Sequence, residues 1–304
     1  VCVFMQIPNM VHIVIQKILQ ATGNMIAPMW FQIAGVVFNF VFDPLLIFGI
    51  GPFPKMGVVG AAVATVLGYV VSTIIALIQL FLTKQKVKPL FKNCLEPQMI
   101  KLIFSYGLPS FVMNALGAFT VNFANMFLVR YSDTAVAFFG AYFKVQQLIF
   151  MTVNGLIQGC LPIMRFNYRA KEYGRLKQAN KSGTIIATVM MIVGMLLVLI
   201  FPKEILFLFS ASEEMCAFGV PAMRIMSLGF VFSGFSAMIA TYEQATDSIM
   251  PGVVVQLLRQ GVLLVPVIWL LNSAVQMTGI WLAFPITEFV TFLVAVVFAK
   301  IKNH

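Results

Sequence analysis

Gln147, Asn154 and Gln158 lie inside one long apolar run, and their spacings of seven and eleven residues return to within about 20° of one face of a helix. Lys144, three residues before Gln147, stays close to that face. A second run repeats the pattern with Gln32, Asn39 and Asp43, and in a third Asn114 and Asn125 are again eleven apart. Arg259 and Glu288 fall in the middle of two consecutive apolar runs, at similar depth. A charge at the centre of a bilayer costs about 2.5–3.5 kcal/mol on insertion scales, so such groups should face protein or a wet cavity. Two chemistries fit. The polar stripes line a path for a solute or ion, or they form interhelical hydrogen bonds worth about 0.6 kcal/mol each that hold a bundle together.

For Arg259 and Glu288 the alternatives are a structural ion pair and a protonatable Glu288. In the second case Arg259 or Lys144 adjusts its proton affinity, because burial favours the neutral acid and a nearby cation favours the carboxylate. Glu288 reads as the only acid near the midplane, which makes it the first candidate for proton coupling. Asp43, just before Pro44, reads as a helix-terminus residue, and Arg224 as one that snorkels toward an interface. His12 reads as a polar contact rather than a ligand.

Other chemistries find no support. The four cysteines and two histidines show no metal-like or paired spacing. No G-x-x-x-x-G-K phosphate loop occurs, and no His/Asp/Glu cluster lies near a membrane surface. A membrane enzyme or a primary pump is therefore disfavoured, and no cofactor or metal is expected.

The elements that must position these residues are set by composition. Soluble domains carry roughly 25% charged residues; this chain has 10% charged and 61% hydrophobic residues, with a mean hydropathy of +0.96. A soluble core could not bury so much apolar side chain, whereas lipid accepts it on every face of a helix. Runs long enough to span, about 20 residues each, fall near 26–48, 57–83, 104–130, 134–163, 180–201, 217–242, 250–271 and 277–299, after an apolar segment at 1–19. These are continuous runs, not the alternating ten-residue segments of a barrel. The chain opens on Val inside an apolar run, which reads as a fragment lacking an N-terminal part.

The net charge of +10 is sorted by side. Lys84, Lys86, Lys88, Lys92 and Lys101 crowd one loop; Arg165, Arg169, Lys171, Arg175, Lys177 and Lys181 crowd another; Lys300 and Lys302 end the chain. Alternating spans put all three on one side, opposite loops that carry only Lys55, Arg130 and Lys203, with the acids Asp133, Glu204, Glu213 and Glu214. This is the positive-inside pattern. It places the C-terminus in the cytoplasm and accounts for the basic balance without nucleic acid. The stretch 164–182 reads as a long cytoplasmic connector against anionic lipid heads.

A repeat organises the spans. Gln20-Ala21-Thr22 returns as Gln244-Ala245-Thr246, Ile26 and Pro28 as Ile249 and Pro251, and Pro44, Gly57, Ala61 and Thr65 as Pro266, Gly279, Ala283 and Thr287. Six spans separate the copies, so both have the same orientation. Parallel repeats about an axis along the membrane normal, with a shared midplane site and alternating access, are a transporter architecture.

Four stretches resemble the MATE (multidrug and toxic compound extrusion) transporters: "QKILQATGNMIAP", "FNFVFDPLLIFG" followed by "MGVVGAAVAT", "YGLPSFVMNALG", and "GLIQGCLPIMRFNYRAKEYGRLKQA". In the last, Gly155, Gln158, Gly159, Pro162, Asn167, Tyr168 and Ala170 follow the bacterial pattern, while Arg169 stands where the family usually has Gly. The resemblance implies twelve helices in two six-helix lobes, of which these segments match the fourth to twelfth. It also implies an acid after the "G-L-P" of the seventh helix in some members; no acid lies between Pro109 and Arg130 here. The family's coupling Asp of the first helix would fall outside this sequence.

The expected fold is therefore an all-α, polytopic membrane bundle of two pseudo-symmetric lobes, with about nine of twelve membrane helices. Residues 1–83 end the N-terminal lobe, 84–103 form a cytoplasmic linker, and 104–304 form the C-terminal lobe. The expected function is a multi-pass, monomeric antiporter of the inner (plasma) membrane. It would export amphipathic, drug-like, cationic compounds in exchange for Na⁺ or H⁺, with membrane lipids as its other partners. A lipid-linked oligosaccharide flippase of related fold is the alternative, because Lys144 and Arg259 suit a pyrophosphate. Gln32, Asn39, Asn114, Lys144, Gln147, Asn154, Arg259 and Glu288 are the expected pathway residues.

Overall fold

In hydrocarbon every backbone N–H and C=O must be paired within the protein, which a helix achieves by itself. The computed structural model describes residues 6–21, 23–24, 26–82, 96–246 and 249–302, and among these the chain is helices joined by turns. Among the described residues six helical stretches are long and apolar enough to cross a membrane: Ile26–Phe48, Val58–Phe81, Asp133–Arg169, Tyr173–Ile200, Glu213–Ala245 and Met277–Phe298. The chain divides into two compact units, Val1–Glu96 and Pro97–His304.

The first unit holds α1 (Gln6–Ala21), α2 (Ile26–Phe48) and α3 (Val58–Leu82). The "GNMIAP" segment is punctuation between α1 and α2. Gly23 turns the chain at φ +87°, a conformation that costs other residues a clash at Cβ. The Asn24 side chain then accepts from the Ala27 N–H at 3.1 Å, the bond of a helix N-cap. α2 and α3 cross at small residues: a Cβ on Gly35 would overlap the Ser72 hydroxyl and lie 2.8 Å from the Gly68 carbonyl. Ser72 donates to the Phe31 carbonyl of α2 at 3.0 Å. Ile15, Leu19, Phe31, Ala76 and Leu80 form the core around this crossing.

The second unit holds α4 (Pro97–Leu128), α5 (Asp133–Arg169), α6 (Tyr173–Ile200), α7 (Pro202–Leu208), α8 (Glu213–Ser227), α9 (Phe230–Ala245), α10 (Ile249–Leu257), α11 (Leu264–Val275) and α12 (Met277–Lys302). Its core is aromatic at the centre. Phe138 meets Trp281 edge-on at 5.2 Å, and the buried Tyr142 stacks on Phe230 at 6.5 Å. Ser132 and Ser212 cap α5 and α8, each accepting a backbone N–H of the first turn. Acids follow both caps (Asp133; Glu213 and Glu214), where a helix dipole favours negative charge. Tyr131 donates to Asn272 at 2.8 Å, so the α4–α5 turn and the end of α11 lie together. Arg165 donates to the Gln244 carbonyl at 3.4 Å, which puts the far end of α5 beside the end of α9.

Several boundaries differ from the sequence expectation. The 164–182 connector is almost wholly helical: α5 runs to Arg169, α6 starts at Tyr173, and only a short turn separates them. Hydropathy detects solubility in lipid, and a helix that continues into water keeps its backbone bonds with a polar surface. Helix α4 begins at Pro97, within the expected 84–103 linker, whose residues 84–95 lie outside the described residues. The 217–242 span is broken between α8 and α9 at Leu228–Gly229. The 250–271 span is interrupted by a π-helical segment, Leu258–Val262. Short α7 had no counterpart in the reading. Arg224 is not simply solvated: its Nε donates to the Leu199 carbonyl at 3.3 Å, at the end of α6 where carbonyls lack helical partners.

The repeat reappears as structure. α1, α2 and α3 correspond in order and extent to α9, α10–α11 and α12; α1 packs on α3 as α9 packs on α12, and α2 on α3 as α11 on α12. Both hairpins close on a glycine, since a Cβ on Gly279 would overlap the Leu271 carbonyl and one on Gly60 of α3 the Leu46 carbonyl, but the positions are not equivalent: Gly57, the repeat counterpart of Gly279, turns at φ +56° with nothing within 4 Å. The copies differ where the charges sit: α2 is continuous, whereas its counterpart carries the π segment with Arg259.

Candidate functional site

In the first unit a cleft of about 460 Å³ opens between α1, α2 and α3. Its polar lining includes His12, Gln32, Asn39, Thr65, Tyr69 and Ser72. Thus the Gln32/Asn39 stripe does face a concave surface. His12 is buried, stacked on Tyr69 with centroids 6.0 Å apart and edge-on to Phe31 at 6.3 Å. Gln32 donates to Gln16 at 3.5 Å. Asn39 joins both neighbours in either orientation of its amide. In one it donates to Asp43 Oδ1 (3.4 Å) and Thr65 Oγ1 (3.3 Å). Turned over, its nitrogen donates to Asp43 Oδ2 (3.2 Å) and its oxygen accepts from Thr65 N (3.0 Å). The second orientation satisfies both ends of the amide. Asp43 is therefore not merely a terminus residue; it sits within α2, hydrogen-bonded to a cleft residue.

In the second unit the α5 stripe emerges as an open face. Phe138, Phe139, Tyr142, Val153 and Met164 are buried on one side of the helix. Lys144, Gln147, Asn154 and Gln158 are exposed on the other. Three glycines share that outer side, and a Cβ added at Gly140, Gly155 or Gly159 would meet no atom within 4 Å. Asn114 falls on α4, but its side chain lies outside the described residues. Asn125 of α4 is partly buried, with its side-chain oxygen enclosed.

Arg259 and Glu288 meet. Arg259 Nε lies 2.8 Å from Glu288 Oε1, with the side chains 15% and 13% exposed, and the guanidinium sits over the Phe150 ring at 4.8 Å. The cation is thus held by a carboxylate on one side and an aromatic face on another. The π segment supplies the position, since its wider turn carries Arg259 at the point where α10 passes into α11. Glu288 packs against the α8–α9 break, where a Cβ on Gly229 would come within 3.2 Å of its Cγ. The other carboxylate oxygen, Oε2, is enclosed without a hydrogen-bond partner, as are the hydroxyls of Tyr142 and Thr291. Tyr142 lies within electrostatic reach of the carboxylate.

Sequence reasoning passed over Tyr142, Tyr69, Ser72 and the buried Glu243. Thr65 and Thr287 were visible, but only as positions of the repeat. Among the described residues no three His, Cys, Asp or Glu converge as a metal site would require.

The MatE family model matches residues 109–270, more than half of the chain. The chain belongs to the MATE family. A MATE relative, the multidrug export protein MepA of Staphylococcus aureus (strain bovine RF122 / ET3-1), is 26% identical over 277 residues, which cover 90% of this chain and 60% of that protein. MepA of Staphylococcus saprophyticus is 26% identical over 286 residues, 93% of this chain and 61% of that protein. An outward-facing MATE transporter of the MOP superfamily superposes with a TM-score of 0.85 at 21% identity, covering 96% of this chain and 65% of the other. A MOP superfamily transporter from Pyrococcus furiosus, described as having a binding pocket of reversed polarity, superposes with a TM-score of 0.86 at 21% identity and the same coverage. These likenesses confirm the all-α fold. This MATE chain spans about 60% of the length of the curated relatives it matches. The family match includes Lys144, Gln147, Asn154 and Arg259, and ends before Glu288.

Proposed function

We propose that this MATE chain belongs to a secondary antiporter that exports amphipathic organic compounds in exchange for Na⁺ or H⁺ by alternating access. The observation that carries the proposal is the open polar face of α5. Lys144 lies eleven residues from the start of α5, about 17 Å along it at 1.5 Å per residue, against a hydrocarbon core about 30 Å thick. An exposed Lys at that depth would cost about 2.5–3.5 kcal/mol if it met lipid. A water-filled path removes that cost, and the neighbouring Gln147 and Asn154 would line it. The export of drugs by MepA, as its name states, supports the same reading.

Two acids are suited to the coupling ion. Glu288 has one oxygen fixed by Arg259 and the other unpaired, so a proton or a small cation would satisfy the second. Asp43 sits in the Asn39–Thr65 cluster of the first unit. The test is transport by the full-length protein in inverted vesicles, with cationic, zwitterionic and anionic fluorescent amphiphiles offered in turn under imposed pH or Na⁺ gradients, and the exported one used for the variants. Glu288→Gln and Asp43→Asn are each expected to reduce gradient-driven export by at least about tenfold. Unchanged export in either variant removes that acid from the coupling scheme. Absence of gradient-driven export of any amphiphile by the wild type rejects the antiporter.

A further inference from the structure

We infer that Lys144 docks the acidic group of the transported molecule, so that the substrate is an organic anion or zwitterion and not a simple cation. The inference rests on the transport reading above and specifies its substrate class. Along the apolar stretch of α5 the open face carries one charge, Lys144, and it is positive; Gln147 and Asn154 are neutral amides, while Asp133 lies at one end of the helix and Arg165 and Arg169 at the other. The other intramembrane cation of this unit, Arg259, has its charge matched by Glu288 at 2.8 Å and its face covered by Phe150. Lys144 makes no ion pair with any described residue. An ammonium in a wet cavity of lowered dielectric attracts an acid and repels an amine, and its three N–H groups form stronger bonds to a carboxylate, sulfonate or phosphate than to neutral acceptors.

The surroundings fit an amphiphile with a short polar head. Gly140 lies one helical turn from Lys144 with open space above it. Leu148 and Met151, 66% and 61% exposed, continue the face as apolar surface. The head would sit on Lys144, the amides of Gln147 and Asn154 would take its remaining polar atoms, and the apolar body would lie along Leu148 and Met151. We assign the site to a soluble amphiphile, because one cation beside two amides offers a single charge, whereas a diphosphate brings two or more.

The test is a matched pair of probes, a dansyl-labelled alkyl carboxylate and the alkylamine of the same chain length, bound to the detergent-solubilised full-length protein. Wild type should prefer the acid. Lys144→Met should weaken the acid by about tenfold or more, and Lys144→Glu should weaken it further while tightening the amine, whose binding also shows that the variant is folded. Lys144→Arg should keep the acid preference. An acid-to-amine ratio unchanged in Lys144→Met and Lys144→Glu overturns the inference and leaves the antiporter reading standing. So does loss of both probes together in Lys144→Met with Lys144→Arg unaffected, since charge would then not be what is recognised. Binding of a polyprenyl diphosphate with no binding of the soluble acid overturns the assignment to a soluble amphiphile and favours a lipid substrate. Wild type that binds neither probe nor diphosphate overturns the inference, whereas the antiporter reading falls only with the absence of gradient-driven export.

Discussion

At the scale of single residues, the ion pair of Arg259 and Glu288 has to be weighed as structure before it is used as mechanism. Its two side chains are nearly buried, so removing one partner strands the other charge in a low-dielectric interior. Breaking such a pair costs about 3–5 kcal/mol, whereas replacing both partners is often close to neutral. Arg259→Met should therefore lower the melting temperature of the purified protein sharply, and Arg259→Met combined with Glu288→Gln should recover most of the loss. A double variant as unstable as the single one would show that the pair does not act as a unit. If the double variant is stable and still couples export to a gradient, Glu288 is structural. The sequence showed this pair well, because charges in apolar runs are rare and two helices in succession place them at equal depth. It hid Tyr142, since a tyrosine in an apolar run looks like any core aromatic until its hydroxyl is found enclosed without a partner.

At the scale of elements, glycine separates packing from function. Gly35 of α2 and Gly68 of α3 let two backbones touch: a Cβ at Gly68 would lie 2.9 Å from the Gly35 carbonyl. Small residues at such crossings are the means by which helices associate where no hydrophobic drive exists between them. Gly35→Val should force α2 and α3 apart and destabilise by about 1–3 kcal/mol or more, measured as loss of monodisperse protein on heating. Gly155→Ala, on the open face of α5, meets nothing within 4 Å. It should be neutral to stabilising, by up to about 1 kcal/mol, because Ala is the better helix former. Comparable instability in both would refute the distinction. Most of the helices were legible from apolar runs and Pro/Gly punctuation. The π segment was not, since the glycine of "LRQGV", Gly261, is tolerated within a regular helix too and does not mark a wide turn. The helical ends of α5 and α6 were lost for the opposite reason, their charge.

At the scale of the whole molecule, the remaining question is which end faces the cytoplasm. Helix α5 has 37 residues, about 55 Å at 1.5 Å per residue, more than the 40–45 Å of a bilayer with its headgroups. One end must project, and the basic end is the one that continues past the apolar run, with Arg165 and Arg169 on α5 and Arg175, Lys177 and Lys181 on α6. The opposite turns carry Asp133, Glu204, Glu213 and Glu214. Short loops rich in Lys and Arg stay on the cytoplasmic side, while acids contribute little to orientation. A cysteine at Lys171, in the α5–α6 turn, should thus be protected from a membrane-impermeant maleimide in intact cells and react once they are permeabilised. A cysteine at Ser210, between α7 and α8, should react in both. The four native cysteines, Cys2, Cys94, Cys160 and Cys216, must be replaced first, because a maleimide would label any of them that is accessible. The reverse pattern would invert the molecule, and with it the direction in which a gradient-driven cycle moves its cargo.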